Sequence, residues 1–95
     1  MTEHVLKTLS PYWHAVNDGV KNFEVRRDDR GFQKGDILIL RRVEYHAIPS
    51  GGLRVVECRS SDNLPYDLRC KITYVLTGGQ LGIEPGYVVM GIKKT

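Results

Sequence analysis

The stretch Gly19–Leu40 constrains the fold of this chain more than any other part of the sequence. Side chains of a β-strand alternate between two faces, so a strand here places Asn22, Glu24 and Arg26 on one face. That face presents an amide, a carboxylate and a guanidinium side by side, and Lys21 precedes them. A small protein has few reasons to set such groups in a row beside its core, and binding a polar ligand is one of them.

The same strand has an opposite, apolar face that consists of Phe23 and Val25. A Gly35-Asp36 turn follows and leads into the wholly apolar run Ile37–Leu40. Strands that are apolar throughout bury both faces, or bury one face and cover the other with a helix. This run and the later Tyr87–Val89 run therefore predict a small barrel, closed or nearly closed, with the helix over one side.

The rest of the chain alternates in the manner of short strands. We predict six strands, over residues 4–8, 22–27, 36–44, 53–59, 67–76 and 87–93. Residues 60–65 are expected to form a loop, and if the fourth and fifth strands form a hairpin around Asn63-Leu64, Cys58 and Cys70 lie opposite one another. The predicted fold class is α+β, mainly β: a barrel of five to six strands with one N-terminal helix.

Ser10 and Pro11 predict the start of that helix, with Ser10 as the N-cap and Pro11 as the first helical residue. Gly19 suits the left-handed conformation that ends a helix. Five apolar residues recur at helical spacing and predict a buried stripe: Leu9, Tyr12, Trp13, Val16 and Val20.

Length and composition exclude several classes of protein. A chain of 95 residues is too short for two separate cores, so we expect one domain over residues 1–95. At 41% hydrophobic and 26% charged, the composition is that of a globular protein. No apolar run approaches the ~20 residues that a transmembrane helix needs. The first residues do not resemble a signal peptide, and we therefore expect a cytoplasmic protein.

The positive charge is concentrated in one part of the chain. Residues 19–42 contain seven basic and four acidic side chains, an excess of three that equals the net charge of the whole sequence. A basic concentration on one hairpin is typical of a surface that meets a phosphate backbone. A solvated surface with interleaved acids would show the same pattern, and both interpretations stay open.

Four segments together resemble a known family. In chain order they are His4-x-Leu6-Lys7-Thr8, Gly19-x-Lys21-x-x-Glu24-x-Arg26, Asp29-Arg30-x-Phe32-x-x-Gly35-Asp36 and Tyr87-Val88-Val89-Met90-Gly91-Ile92. The chain resembles the ASCH domain over nearly its whole length, and more narrowly a bacterial and phage subfamily without known function. The resemblance implies a PUA-like pseudo-barrel. It also implies a cleft near the helix and the second strand that receives RNA or a nucleotide.

Some members similar to this family are small amidohydrolases that remove an acyl group from the exocyclic nitrogen of modified cytidine. They carry a threonine at the position of Glu24, with a lysine at the position of Lys21. Lys21 and Arg26 match, but the nucleophilic hydroxyl is absent here, and a carboxylate is a poorer acyl acceptor in water. Catalysis is left open, with Lys21 and Glu24 as candidates for an acid/base pair.

The first hypothesis for function is an RNA- or nucleotide-binding module. The predicted cleft is lined by Lys7, Lys21, Glu24 and Arg26, and Glu24 accepts hydrogen bonds from a base amino group. Lys7 could instead be a solvated side chain. Phosphate contacts are assigned to Arg27, Arg30 and Lys34. The alternatives are an amidohydrolase or nuclease that acts on modified nucleosides or RNA, and a protein-interaction module with a protein partner.

Plainer structural roles compete with this hypothesis. Lys21 and Glu24 could form a partly exposed ion pair worth about 0–1 kcal/mol. Arg26 could clamp Asp28 or Asp36 and so hold the following turn. Neither role would require a ligand.

Aromatic residues and potential metal ligands complete the expectations. Trp13 belongs to the helix stripe and is predicted to be core, whereas Tyr12 is less certain. Tyr45 and Tyr66 lie at loop edges and are the preferred candidates for base stacking. The three histidines are scattered and no C-x-x-C occurs, so we predict neither a metal site nor a cofactor. We expect a monomer.

Overall fold

The apolar run at Ile37 opens one of the two longest strands of a six-stranded sheet. The structure is a computed structural model that describes residues 1–58 and 63–95. In chain order its elements are β1 (Glu3–Leu9), α1 (Ser10–Asn17), β2 (Phe23–Arg27), β3 (Ile37–Ala47), β4 (Leu53–Glu57), β5 (Asp67–Thr77) and β6 (Tyr87–Lys94). The mainly β prediction with one short helix is confirmed.

Strand β3 pairs with three other strands, β1, β4 and β5. Its first half pairs in parallel with β1 and antiparallel with β5, so Leu38 lies between His4 and Cys70. Its second half pairs antiparallel with β4, over Val43–Ala47. The hairpin considered for the fourth and fifth strands is therefore not formed, because both strands pair with β3. The end of the predicted fourth strand at residue 59, and residues 60–62 of the predicted loop, lie outside the described residues.

The sheet does not close into the predicted barrel. Its strand order is β1-β3-β5-β6-β2, with β4 attached to β3, so β1 and β2 are the two ends. In the described part of the chain, arginine side chains rather than a backbone ladder connect those ends. Arg26 donates to the carbonyl oxygen of Lys7 at 3.1 Å, and Arg30 donates to that of Val5 at 2.8 Å. We call this gap between β1 and β2 the seam.

The core packs between the sheet and α1. The indole of Trp13 is fully buried, and its Nε1 donates to the carbonyl oxygen of Leu40 at 3.0 Å. A buried indole needs such a partner for its N–H, so this bond sets the position of the helix. The remaining core comes from all the long strands and includes Leu6, Leu38, Leu40, Ile72, Val88 and Met90.

Helix α1 begins one residue earlier than predicted. Leu9 occupies the N-cap position without a side-chain hydrogen bond, and Ser10 is the first helical residue. Pro11 is therefore the second helical residue and not the first, whereas Gly19 adopts a φ of +77° after the helix, as predicted. The predicted buried stripe is too wide, because Tyr12 and Val20 are exposed.

Asp36 fixes β1 at the start of β3. Its carboxylate accepts a hydrogen bond from His4 Nε2 at 2.9 Å and others from the backbone N–H groups of Thr2 and Gln33. Both Asp36 and His4 are buried. The hydrogen bond from His4 lowers the pKa of Asp36, and the backbone N–H bonds act in the same direction, whereas burial opposes them.

This cluster predicts a loss of stability in acid. A carboxyl whose pKa is lowered by folding stabilises the protein above its unfolded pKa of about 3.9, and this stability is lost as pH falls through the folded pKa. Asp36→Asn should therefore reduce the fall in the free energy of unfolding between neutral and strongly acidic pH, measured by urea denaturation. Asp18→Asn, at an exposed position, is the control. Identical pH dependence in Asp36→Asn and the wild type would contradict the assignment.

Candidate functional site

Strand β2 buries its charged face rather than its apolar one. Glu24 is only 3% exposed, whereas Phe23 and Val25 are 44% and 51% exposed. Burial of a carboxylate is costly unless charged partners and hydrogen bonds compensate for it. The inward direction of Glu24 therefore requires cations close to it.

Lys21 and Arg26 supply those cations, one to each carboxylate oxygen of Glu24. Lys21 Nζ lies 2.6 Å from Oε1, and Arg26 Nε lies 3.0 Å from Oε2. Lys21 also donates to the carbonyl oxygen of Phe23 at 2.7 Å. We call Lys21, Glu24 and Arg26 the trio. Arg26 thus pairs with Glu24 and not with Asp28 or Asp36, the partners considered from sequence.

Arg26 extends from the trio across the seam. Its guanidinium donates to the carbonyl oxygen of Lys7 and, at 3.0 Å, to the hydroxyl of Thr8. The Thr8 hydroxyl in turn donates to the carbonyl oxygen of Leu6 at 3.2 Å. The same arginine therefore neutralises a buried carboxylate and connects the two ends of the sheet.

A pocket of about 340 Å³ lies in the seam beside α1. Four predicted residues line it: Lys7, Lys21, Glu24 and Arg26. Four residues that were not assigned to the cleft also line it: Thr8, Leu9, Tyr12 and Val25. We call this the seam pocket.

The seam pocket carries a net positive charge. The trio contributes two cations and one anion, and Lys7 adds a further cation. Lys21 uses two of the three N–H groups of an ammonium, and Arg26 uses three of the five of a guanidinium. One N–H group of Lys21 and two of Arg26 make no hydrogen bond to the described residues.

Three predicted phosphate contacts lie outside the pocket lining. Arg27 is exposed at the end of β2, with its guanidinium 5.6 Å from the ring centroid of Tyr87. Arg30 donates a hydrogen bond to the carbonyl oxygen of Val5 on β1, and Lys34 is exposed in the turn before β3. Asn22, expected beside Glu24, is exposed just before β2 and also lies outside the seam pocket.

Of the pocket residues missed from sequence, Thr8 could have been found from strand periodicity, whereas Tyr12 could not. Thr8 alternates with His4 and Leu6, so the inward face of β1 carries it toward the seam. Tyr12 was placed in the helix stripe, although Trp13 and Val16 alone fill the buried side of α1. Its contact with the cleft depends on how α1 sits against β2, which periodicity does not reveal.

Cys70 is an unsuitable nucleophile for this site. It is fully buried on β5, and burial, followed by the negative charge of Glu24, raises the pKa of its thiol to about 11. The reactive form of cysteine is the thiolate, which this environment disfavours. Thr8 carries the aliphatic hydroxyl in the pocket lining, and its proton is directed to the carbonyl oxygen of Leu6.

Comparison with known protein families assigns the chain to one of them. Residues 3–92 match the family described as "Domain of unknown function (DUF3850)". The chain belongs to this family. No curated protein matches it significantly. Within residues 1–58 and 63–95, no helix is long and apolar enough to cross a membrane.

The trio predicts a large effect of Arg26 on stability. Arg26→Ala should lower the free energy of unfolding by about 2–4 kcal/mol in urea denaturation, because buried Glu24 loses one of its two cationic partners. Arg69→Ala is the matched control, since it removes a 2.8 Å ion pair with Glu3 that is half exposed on both sides and worth about 0–1 kcal/mol.

A second substitution tests the cause of this loss. Adding Glu24→Gln to Arg26→Ala should restore part of the lost stability, because a neutral amide costs less to bury than an unpaired carboxylate. Equal losses from Arg26→Ala and Arg69→Ala would show that the trio contributes no more than a surface pair.

Proposed function

We propose that this protein is an RNA- or nucleotide-binding module that uses the seam pocket. The observation that carries the proposal is the convergence of Lys7, Lys21 and Arg26 on one pocket with a net positive charge. Phosphate groups are the anions that arginine and lysine recognise most often in nucleic acids. A pocket of about 340 Å³ is also within the range of small-ligand sites.

The trio supports a division of roles within this site. Both oxygens of Glu24 already accept a charged donor, so Glu24 acts by holding Lys21 and Arg26 in position. This positioning role replaces the base contact that we assigned to Glu24 from sequence. The remaining N–H groups of the two cations are the donors for phosphate. Exposed Arg27, together with Lys34, extends the attraction beyond the pocket.

We further propose kinship with the ASCH domain and its PUA-like architecture. The support is positional: the Lys21–Arg26 motif lies beside the N-terminal helix and lines a cleft, as that resemblance implies. The open seam between β1 and β2 would make this an incomplete version of the barrel.

A hydrolase is less well supported by the same geometry. A water-activating base needs an available oxygen, whereas Glu24 is 3% exposed and engaged by both cations. Incubation with N4-acetylcytidine, followed by liquid chromatography, tests this alternative. Deacetylation above the level of a Glu24→Gln variant would favour an enzyme.

Removal of one exposed cation tests the binding proposal without disturbing the trio. Lys7 lines the pocket with an exposed side chain, and Lys7→Ala should weaken binding of a fluorescent single-stranded RNA several-fold at low salt. The slope of log affinity against log salt should fall by about 0.7–1, the value for one phosphate contact. Fluorescence anisotropy measures both quantities.

Lys71→Ala is the control for this experiment. Lys71 is an exposed lysine on β5, outside the pocket lining, and its removal changes the net charge equally. Equal losses of RNA affinity in Lys7→Ala and Lys71→Ala would mean that RNA binding depends on the net charge of the protein and not on the seam pocket. Absence of RNA binding by the wild type at low salt would reject the proposal.

A further inference from the structure

Tyr12 forms an exposed aromatic wall of the seam pocket. Its side chain is 56% exposed on the first turn of α1, although neighbouring Trp13 is fully buried. The hydrogen bond from Trp13 to the carbonyl oxygen of Leu40 anchors that turn in the core. The Tyr12 backbone is therefore held in place, while its ring remains accessible to a ligand.

A cation of the trio lies close to this ring. Lys21 Nζ is 6.0 Å from the centroid of the Tyr12 ring and 4.9 Å from that of Phe23. Glu24 and the carbonyl oxygen of Phe23 both accept hydrogen bonds from the Lys21 ammonium. These bonds keep the ammonium beside the Tyr12 ring in the absence of a ligand. A ring beside a fixed cation matches a nucleotide, which carries a flat base next to a phosphate.

The size of the pocket limits the form of the nucleic acid. A volume of about 340 Å³ is near the lower end of small-ligand sites and accommodates roughly one nucleotide. A base inside a duplex has both faces covered by its neighbours, so it cannot stack on a protein ring. Stacking on Tyr12 requires a base that is unpaired and splayed out of its strand.

We infer that Tyr12 is the stacking platform for one unpaired nucleobase, with the adjoining phosphate at Lys21 and Lys7. The inference rests on the proposed function and specifies its ligand class: single-stranded RNA or a free nucleotide, not duplex. Tyr12 takes the role that sequence assigned to Tyr45 and Tyr66. The Tyr66 ring lies 5.4 Å from the Arg41 guanidinium, and neither tyrosine lines the seam pocket.

The test separates base recognition from phosphate recognition. Fluorescence anisotropy compares a short oligoadenylate, an abasic oligonucleotide of the same length and a blunt RNA duplex. The wild type should bind the oligoadenylate most tightly. Tyr12→Ala should weaken oligoadenylate binding by roughly 5- to 150-fold, the usual effect of losing one base–aromatic stack, and leave binding of the abasic oligonucleotide unchanged.

Two further variants define the cause. Tyr12→Phe keeps the ring and should bind oligoadenylate like the wild type, which separates stacking from hydrogen bonding by the hydroxyl. Tyr45→Ala is the matched control, because Tyr45 is also 56% exposed but lies outside the seam pocket. It should leave oligoadenylate binding unchanged.

The outcomes distinguish this inference from the proposed function. If the wild type binds oligoadenylate but Tyr12→Ala binds it equally well, the stacking platform is wrong and RNA binding stands. Equal affinity of the wild type for the oligoadenylate and the abasic oligonucleotide, or equal losses in Tyr12→Ala and Tyr45→Ala, would overturn the inference in the same way. If none of the three nucleic acids binds, both proposals fail.

Discussion

The carboxylate of Glu24, buried between Lys21 and Arg26, is the interaction on which the arrangement of β2 and the seam depends. A strand normally buries its apolar face, yet β2 leaves Phe23 and Val25 exposed and turns Glu24 inward. The two ion pairs compensate for the desolvation of the carboxylate. Without them, β2 would gain apolar burial by presenting its other face to the core.

The open seam follows from the same interaction. Backbone pairing brings neighbouring strands to about 4.7–4.9 Å. Arg26 instead occupies the gap, where its guanidinium donates hydrogen bonds to the carbonyl oxygen of Lys7 and to the hydroxyl of Thr8. β1 and β2 are therefore connected by hydrogen bonds of the Arg26 side chain and not by backbone hydrogen bonds between the strands. The gap leaves room for a pocket whose wall is formed by the exposed ring of Tyr12.

Local patterns predicted the elements well and their partners poorly. Alternation located all six strands to within a few residues, because each residue's direction in a strand depends only on its neighbours. The predicted start of α1 was one residue too late, because Leu9 and not Ser10 occupies the N-cap position, where it makes no side-chain hydrogen bond. The hairpin considered for the fourth and fifth strands does not form, because β3 is long enough to pair with each of them along a different part of its length.

The sequence by itself determined the strands, the single helix and the charged face of β2, because these follow from period and residue type over a few positions. It also determined that Lys21, Glu24 and Arg26 lie close together, since they occupy one short segment. Only the tertiary structure decided that this face points inward, that the sheet stays open, and that Lys7 and Tyr12 reach the same pocket. Those outcomes depend on contacts between residues far apart in the chain, and no local pattern encodes such contacts.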